Sequence, residues 1–435
     1  MIKQKPSISF YTFGCRLNQS ETAVVQQIFK TNGYRIVDIH TAADVAVINT
    51  CTVTENGDAD TRKLVNRINR INPNVKIALV GCQAQIQKQR LANLPNVRWI
   101  VGNAKKIDFM SILAEHQDPS KPLVVTPTIP KESFTIPMAG LDSKHTRANI
   151  KIQDGCDFFC SFCEIPYARG RARSRKFDDI LKESQILVEG GYKELVITGI
   201  NVGTYRESGR TILDVINALE QIEGLERIRI SSIEPTTIAP QLIGKMAQQT
   251  KLCRHLHIPL QSGSDSVLTL MKRKYSIREF SSFIHTAYEQ VPGICIGTDV
   301  IVGFPGESEG CFQTTAEYLR SSPIHYVHVF SYSKRHMAKS QNLSEVVSPH
   351  LIAQRSKILR AISARKRDIF YRSLIGNTER VLFEQCRKGL WTGLTDHYAR
   401  VHVKSNRVLT NQFMNVELHD LFNHELFGNL SESNG

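Results

Sequence analysis

No stretch of about 18 uninterrupted apolar residues occurs in this 435-residue chain, so its length offers no membrane-spanning helix. The opening MIKQKPSISFYTFGC is broken by polar side chains too early for a secretory signal peptide, which leaves the cytoplasm as the expected compartment. Low-complexity tracts and a disordered or collagen-like bias are missing too. With 41% hydrophobic and 22% charged residues the whole chain is expected to fold, in about three domains. Acidic residues are in deficit: 41 Asp plus Glu against 55 Lys plus Arg leave a net charge of +14. A polyanionic partner and a merely well-solvated basic surface both account for that surplus, so the location of the charge has to separate them. The 14 histidines show no metal-ligand spacing.

What the chain does have is cysteine, at 15, 51, 82, 156, 160, 163, 253, 295, 311 and 386. In a reducing compartment ten cysteines point to metal or redox chemistry before disulfides. Cys156, Cys160 and Cys163 share one loop, DGCDFFCSFCEIPYARG. A closed zinc site takes four ligands, and neither a fourth cysteine nor a suitably spaced histidine follows in the loop. Three thiolates suit a cubane iron-sulfur cluster with one iron open to a small molecule.

The runs SISFYTFGC, DVAVINTC and KIALVGC are short, apolar and end at a cysteine, and they alternate with the helix-like SETAVVQQIFKTNG and DADTRKLVNRINRINPN. This predicts an α/β chain that opens with a parallel sheet over residues 1–120, with Cys15, Cys51 and Cys82 together at the carboxyl ends of its strands. The alternative for each is a small buried hydrophobe. Proline-rich residues 121–145 predict an extended linker.

Six further strand-like runs, NIKIQDGC, ELVITGI, RIRISSIEP, HLHIPLQSG, CIGTDVIVGF and HYVHVFSY, are separated by segments of helical periodicity. They predict a partial (βα)6 barrel over 146–373, with the cysteine triad after its first strand. A basic helix containing Arg365, Lys366 and Arg367 closes that region. TERVLFEQC, LWTGLTD, YARVHVK and QFMNVELHD then predict a small antiparallel β-barrel over 374–435. Beside the triad, RGRARSRK carries Arg169, Arg171, Arg173, Arg175 and Lys176 with no acid among them. Phosphate contact is the functional reading and a solvated loop the ordinary one.

The spacing of Cys156, Cys160 and Cys163 resembles the signature of the radical S-adenosylmethionine (SAM) enzymes. Together with it, YTFGCRLNQSET, VINTCTVTENGDADTR, ALVGCQAQ, TGINVGTY, SSIEP, LHIPLQSGSDSVLTLMKRKYS and TDVIVGFPGES follow the order seen in the methylthiotransferases of that superfamily, over nearly the whole chain. The resemblance implies two [4Fe-4S] clusters, one on Cys156, Cys160 and Cys163 and one on Cys15, Cys51 and Cys82. It implies that SAM binds the open iron of the first and yields a 5′-deoxyadenosyl radical, while a second SAM methylates sulfur held at the other. No side-chain acid or base is needed for the central step.

The resemblance also places Phe162 near the adenine of SAM and Gly199, Asn201, Glu234 and Gln261 along its pocket; each is alternatively an ordinary loop residue. The C-terminal barrel resembles the TRAM domain, an RNA-binding module. NQSET, NTCTVTENGDAD and IPYARGRARSR stand closest to the branch acting on threonylcarbamoyladenosine next to the anticodon of tRNA. The runner-up within the family is the isopentenyladenosine branch, and outside it a non-catalytic RNA-binding protein stabilised by zinc. The implied partners are tRNA, an electron donor and a sulfur source, with no membrane. FSYSKRHMAKS departs from the family by lacking prolines and a glycine after the last barrel strand, which implies a less rigid substrate mouth.

Overall fold

The computed structural model describes residues 6–52, 55–116, 121–141, 146–248 and 250–431. Val53 and Thr54 of the motif around Cys51, and the expected domain limits at 1, 120, 145 and 435, lie outside them.

Six strands form the first sheet: β1 (Ser7–Thr12), β2 (Arg35–Val37), β3 (Val45–Thr50), β4 (Lys76–Gly81), β5 (Val97–Val101) and β6 (Leu123–Val125). Their order is β2-β1-β3-β4-β5-β6, and every neighbouring pair is parallel. β3 is buried along its whole length because both faces are covered, as a near-continuous apolar run requires. Its Val45 and Val47 pack with Val25 and Phe29 of helix Arg16–Thr31. Ala46 and Ile48 face the other way, onto Leu64, Val65 and Ile68 of helix Glu55–Ile71. The expected linker needs correction: its Leu123–Val125 pairs with β5 as the sheet's edge strand, which satisfies backbone groups that an extended segment would leave to water.

The central region holds β7 (Arg147–Lys151), an antiparallel pair of two-residue strands, β8 (Gln153–Asp154) and β9 (Arg173–Ser174), and five more parallel strands. These are β10 (Glu194–Thr198), β11 (Arg227–Ile230), β12 (His255–His257), β13 (Cys295–Val302) and β14 (Tyr326–Ser331). They make two parallel three-stranded sheets, ordered β11-β10-β7 and β12-β13-β14. One core of Ile150, Leu195, Ile228, Leu256, Ile296 and Val300 runs through both sheets, capped outside by helix residues such as Ile216, Phe280 and Phe312.

After helix Pro349–Ser373 come β15 (Thr378–Arg387), β16 (Leu390–Leu394), β17 (Arg400–Lys404), β18 (Phe413–Phe422) and β19 (Glu425–Leu430), a closed barrel ordered β15-β16-β17-β19-β18. The expected all-antiparallel barrel is corrected here, because β17 and β19 are parallel. In a closed ring of five strands direction cannot alternate all the way round, so at least one pair must be parallel. Sequence pattern misses β19, and four strands would have closed without that constraint.

The barrel is tied to the rest by buried arginines. Arg227 donates to the Leu394 and Arg380 carbonyls at 3.0 and 2.8 Å, and Arg229 to those of Thr395 and Asp396 at 3.0 and 2.9 Å. Arg16, beside Cys15, donates to the Tyr398 hydroxyl. The guanidinium groups of Arg16, Arg147 and Arg229 lie 5.4, 5.8 and 4.9 Å from that tyrosine's ring centre. No helix among the described residues is long and apolar enough to cross a membrane.

Candidate active site

β1 is flanked by β2 and β3, so the chain reverses its direction of travel across the sheet there, and ligands of open parallel sheets bind outside the strand ends at such a point. Thr12 is paired with Asn49 and Thr50 with Gly81, so Cys15, Cys51 and Cys82 leave three adjacent strands at one edge. The close approach needs glycine: Gly14 has φ +90°, and a Cβ on it would stand 2.6 Å from the Cys51 sulfur. The Asn103 amide donates to the Cys82 sulfur at 3.5 Å and to the Ala168 carbonyl at 2.7 Å, linking this edge to the central region.

The second group sits in a loop pinched at its base by β8 and β9, with Gln153 opposite Ser174 and Asp154 opposite Arg173. Gly155 has φ +69°, and a Cβ there would lie 2.0 Å from the Arg171 carbonyl oxygen, so only glycine fits. Ser161 fixes the middle of the loop by donating its N–H and hydroxyl to the Met271 and Leu270 carbonyls, at 2.9 and 2.7 Å. Arg273 Nη1 points at the Cys160 sulfur, 3.2 Å away. Burial pushes Cys156 up to about 11 and raises Cys160 and Cys163 as well. Thiols held neutral by burial ionise when a metal centre brings positive charge.

The donor sets fit a polynuclear group better than one ion. Neither cysteine triad is among the groups of three ligand atoms, all within 4.8 Å of one another, found among the described residues. Three thiolates on one tetrahedral zinc at about 2.3 Å would stand about 3.8 Å apart.

A cavity of about 190 Å³ lies between the two groups. Thr52, the neighbour of Cys51, lines it together with Phe162, Cys163, Gln261, Asp299 and Arg335. Asp299 is held well below the usual carboxylate range; burial opposes this, but His257 and His328 outweigh it. Of the residues expected along a SAM pocket, Phe162 and Gln261 face this cavity and Gly199, Asn201 and Glu234 do not line it. Gln153 Oε1 accepts from the N–H groups of Ile200 and Asn201 at 2.9 Å each, and a Cβ on Gly199 would be 3.0 Å from that oxygen. Asn201 accepts from the Thr237 hydroxyl at 3.0 Å, while its buried Nδ2 has no hydrogen-bond partner among the described residues. A buried donor left open in this way fits a bound molecule that supplies an acceptor. Burial raises the Glu234 pKa against its ion-pair partner Arg273.

The arginines need correction. Arg169 is fully buried, bonded to Glu21 and Asp154 at 3.0 Å and to Asn18 at 2.5 Å. Arg175 is buried against Asp179 and Glu183, and Arg173 is held 3.2 Å from Asp154. Only Arg171 of the four is exposed, and it pairs with Asp157 at 2.5 Å. RGRARSRK lacks acids in sequence but finds them in space, since a buried guanidinium without a carboxylate would be prohibitively costly. Glu21, which burial alone would raise, is held well below its ordinary value by Arg169, Lys106 and Lys151.

Sequence pattern misses Arg335, Glu164, Asp58 and Arg273. Glu164 adjoins Cys163 and Arg273 lies within LMKRKYS, but their partners are remote in sequence and no spacing marks them. The segment FSYSKRHMAKS is also firmer than expected: Arg335 is buried in ion pairs, and the Met337 N–H donates to Glu164 Oε1 at 2.9 Å.

Residues 7–102 match the family described as Uncharacterized protein family UPF0004, and residues 150–319 match the Radical SAM superfamily. The threonylcarbamoyladenosine tRNA methylthiotransferase MtaB of Bacillus subtilis (strain 168) is 34% identical over 424 residues, spanning 95% of this chain and 93% of that protein. The protein of the same name from Aquifex aeolicus (strain VF5) is 35% identical, over 94% of this chain and 96% of its own. A tRNA-2-methylthio-N(6)-dimethylallyladenosine synthase of Thermodesulfovibrio yellowstonii is 31% identical, over 96% and 97%. Among solved structures, the radical SAM methyltransferase TsrM from Kitasatospora setae, with cobalamin and a [4Fe-4S] cluster bound, shares the fold. It superposes with a TM-score of 0.55 at 13% identity over 75% of each chain.

Proposed function

This chain belongs to the methylthiotransferase family of radical SAM enzymes, and from that premise we propose that it replaces the C2 hydrogen of threonylcarbamoyladenosine, next to the anticodon of tRNA, with a methylthio group. The observation that carries this reading is the cavity bordered by Thr52, the residue following Cys51, and by Cys163 itself, a place where one reacting base would stand beside both cysteine-bearing loops. Two of the first relatives act, by name, on this nucleoside.

When bound, the [4Fe-4S] groups and SAM would supply the one-electron chemistry and the methyl group, with the transferred sulfur drawn from a separate source. The chain's own part is to hold and orient. Cys156, Cys160 and Cys163 would hold one cluster, and Cys15, Cys51 and Cys82 the other. Phe162 and Gln261 offer the cavity walls for SAM, Asn201 offers its open Nδ2 donor, and Gly199 allows the close approach of Gln153. Glu234 acts through Arg273 on Cys160.

We read the two central sheets as one partial (βα)6 barrel over 146–373. Supporting this are hydrogen bonds from the Ile228 N–H to Lys251, the Cys253 N–H to Ile228 and the Ile233 N–H to His257, at 2.8, 2.8 and 3.2 Å, which bridge the two sheets. The C-terminal barrel is read as a TRAM-like RNA-binding module in a cytoplasmic enzyme that draws on an electron donor and a sulfur source. Its exposed Arg387, Lys388, Lys404 and Arg407 and the exposed Arg171 near the triad offer phosphate contacts.

Mass spectrometry of tRNA nucleosides from a deletion strain, with and without the gene restored, tests the reading. Loss of the methylthio form of threonylcarbamoyladenosine, and its return, supports it. Loss of the methylthio form of isopentenyladenosine instead moves the assignment to that branch.

A further inference from the structure

Arg335 lies just beyond β14 and is 3% exposed. Its Nε donates to Glu164 Oε2 at 3.0 Å, Nη1 to Asp58 Oδ2 at 3.1 Å, and Nη2 to Thr52 Oγ1 at 2.7 Å and Asp58 Oδ1 at 3.4 Å. The set closes on itself, because Thr52 Oγ1 donates to Glu164 Oε2 at 2.8 Å and Gln87 Nε2 to Asp58 Oδ2 at 2.9 Å. Thr52 follows Cys51 and Glu164 follows Cys163, while Asp58 is in the first turns of helix Glu55–Ile71. One planar guanidinium therefore grips the residue next to a cysteine of each group, on the wall of the cavity between them.

We propose that Arg335 is a positioning residue that fixes the separation and orientation of the two cysteine-bearing loops across the cavity, and so couples radical formation at one to sulfur transfer from the other. This rests on the function proposed above. The attachment of the first region to the central one does not depend on it. Glu21 is bound by Lys151 at 2.7 Å and Arg169 at 3.0 Å, and Asn103 reaches Ala168, all through residues that Arg335 does not touch. Losing Arg335 would leave the two regions joined and the facing loops unregistered, with Asp58 and Glu164 buried and repelling each other. A displacement of about 1 Å between reacting groups is enough to cost on the order of a hundredfold in rate.

The experiment compares wild type, Arg335→Met, Arg335→Lys and Thr52→Val, each full length with both clusters reconstituted and counted by iron and sulfide. The readouts are methylthiolated nucleoside formed per 5′-deoxyadenosine, and hydrogen exchange at the Met337 amide and across residues 57–62. In Arg335→Met the product ratio is expected to fall about tenfold or more, with faster exchange at both places. Arg335→Lys recovers only part of the ratio, because a single ammonium cannot reproduce the planar fork, and Thr52→Val is intermediate. An unchanged ratio in Arg335→Met with both clusters present overturns the proposal. If that variant does not hold its clusters, Thr52→Val decides, and a wild-type ratio there also overturns it. If wild type cleaves SAM yet methylthiolates no modified tRNA, the proposed function has failed, and the exchange comparison then decides the positioning role alone: unchanged exchange overturns it.

Discussion

Arg273 Nη1 stands 3.2 Å from the sulfur of Cys160, and the same guanidinium is paired with Glu234 from the strand end that carries SSIEP. The middle cysteine of the triad thus has a permanent cation beside it, held in place by a half-buried carboxylate. That cation favours the anionic form of the sulfur, which is the form that binds metal.

Loss of this cysteine should silence the radical step, whereas loss of one on the first sheet should not. Cys160→Ala is expected to form no 5′-deoxyadenosine under reducing conditions. Cys51→Ala should retain part of the cleavage and give no methylthio product. Chromatography of both products from the same reaction checks the pair of outcomes, and reductive cleavage by Cys160→Ala would contradict the assignment.

The buried and exposed members of the arginine run should separate in denaturation. Arg169→Met leaves Glu21 and Asp154 with fewer partners in a buried network and should cost about 3–5 kcal/mol. Arg171→Gln should leave the denaturation midpoint where it is, since Arg171 and Asp157 are both open to solvent. Urea unfolding of the two variants reads this directly, and equal midpoints would mean that Arg169 behaves as a surface residue.

Binding of tRNA should report on the exposed cations of the C-terminal barrel. Arg387 is paired with Leu390 across β15 and β16, and Leu390 with Lys404 across β16 and β17, so Arg387, Lys388 and Lys404 gather at one end of the barrel. Neutralising these three to Gln should weaken binding at low salt and flatten the slope of log K against log salt by about 0.7 to 0.9 for each phosphate no longer neutralised. An unchanged salt slope would mean that another face meets the RNA. Deleting the barrel is a poorer test, because Arg227 and Arg229 would lose the carbonyls they serve.

Mild acid should weaken the fold through His325. Burial, aided by the charges of Lys366 and His397, lowers its pKa to about 4, and its Nδ1 accepts the Ile296 N–H at 2.9 Å, which a protonated ring cannot do. The unfolded chain binds the proton near pH 6.5 and the folded one does not, so this contribution is complete above pH 6.5 and shrinks as pH falls toward 4. From this residue stability should drop by up to about 1.4 kcal/mol per pH unit across that window. Melting curves at pH 6.5 and 5.5 should differ less for His325→Gln than for wild type; an equal difference would assign the acid response elsewhere.

Local pattern is enough to find the strands that end in cysteine, because burial on both faces of a parallel sheet leaves an apolar run that even a six-residue strand such as β3 displays. It is enough for the triad, whose three members share one loop. It fails for β19, whose ELFGNL carries a glycine and an asparagine, and for the three-residue edge strand β6 beside prolines. It fails again at Arg169 and Arg335. Their partners Glu21 and Asp58 lie 148 and 277 residues away, and a charge run looks the same on paper whether its acids are absent or folded in from another region.

The bond between Arg16 and Tyr398 spans 382 positions of sequence, and it sits one residue from a cysteine of the first sheet. A ribosome adding about 5 to 20 residues per second takes about 20 to 80 s to travel from one to the other. During that interval the first sheet can form, yet the flank of Cys15 lacks its tyrosine. The finished surroundings of that cysteine therefore wait for the last part of the chain to be made. A premature stop that falls after β6 and before codon 398 keeps all six strands of the first sheet but removes the tyrosine that Arg16 meets beside Cys15.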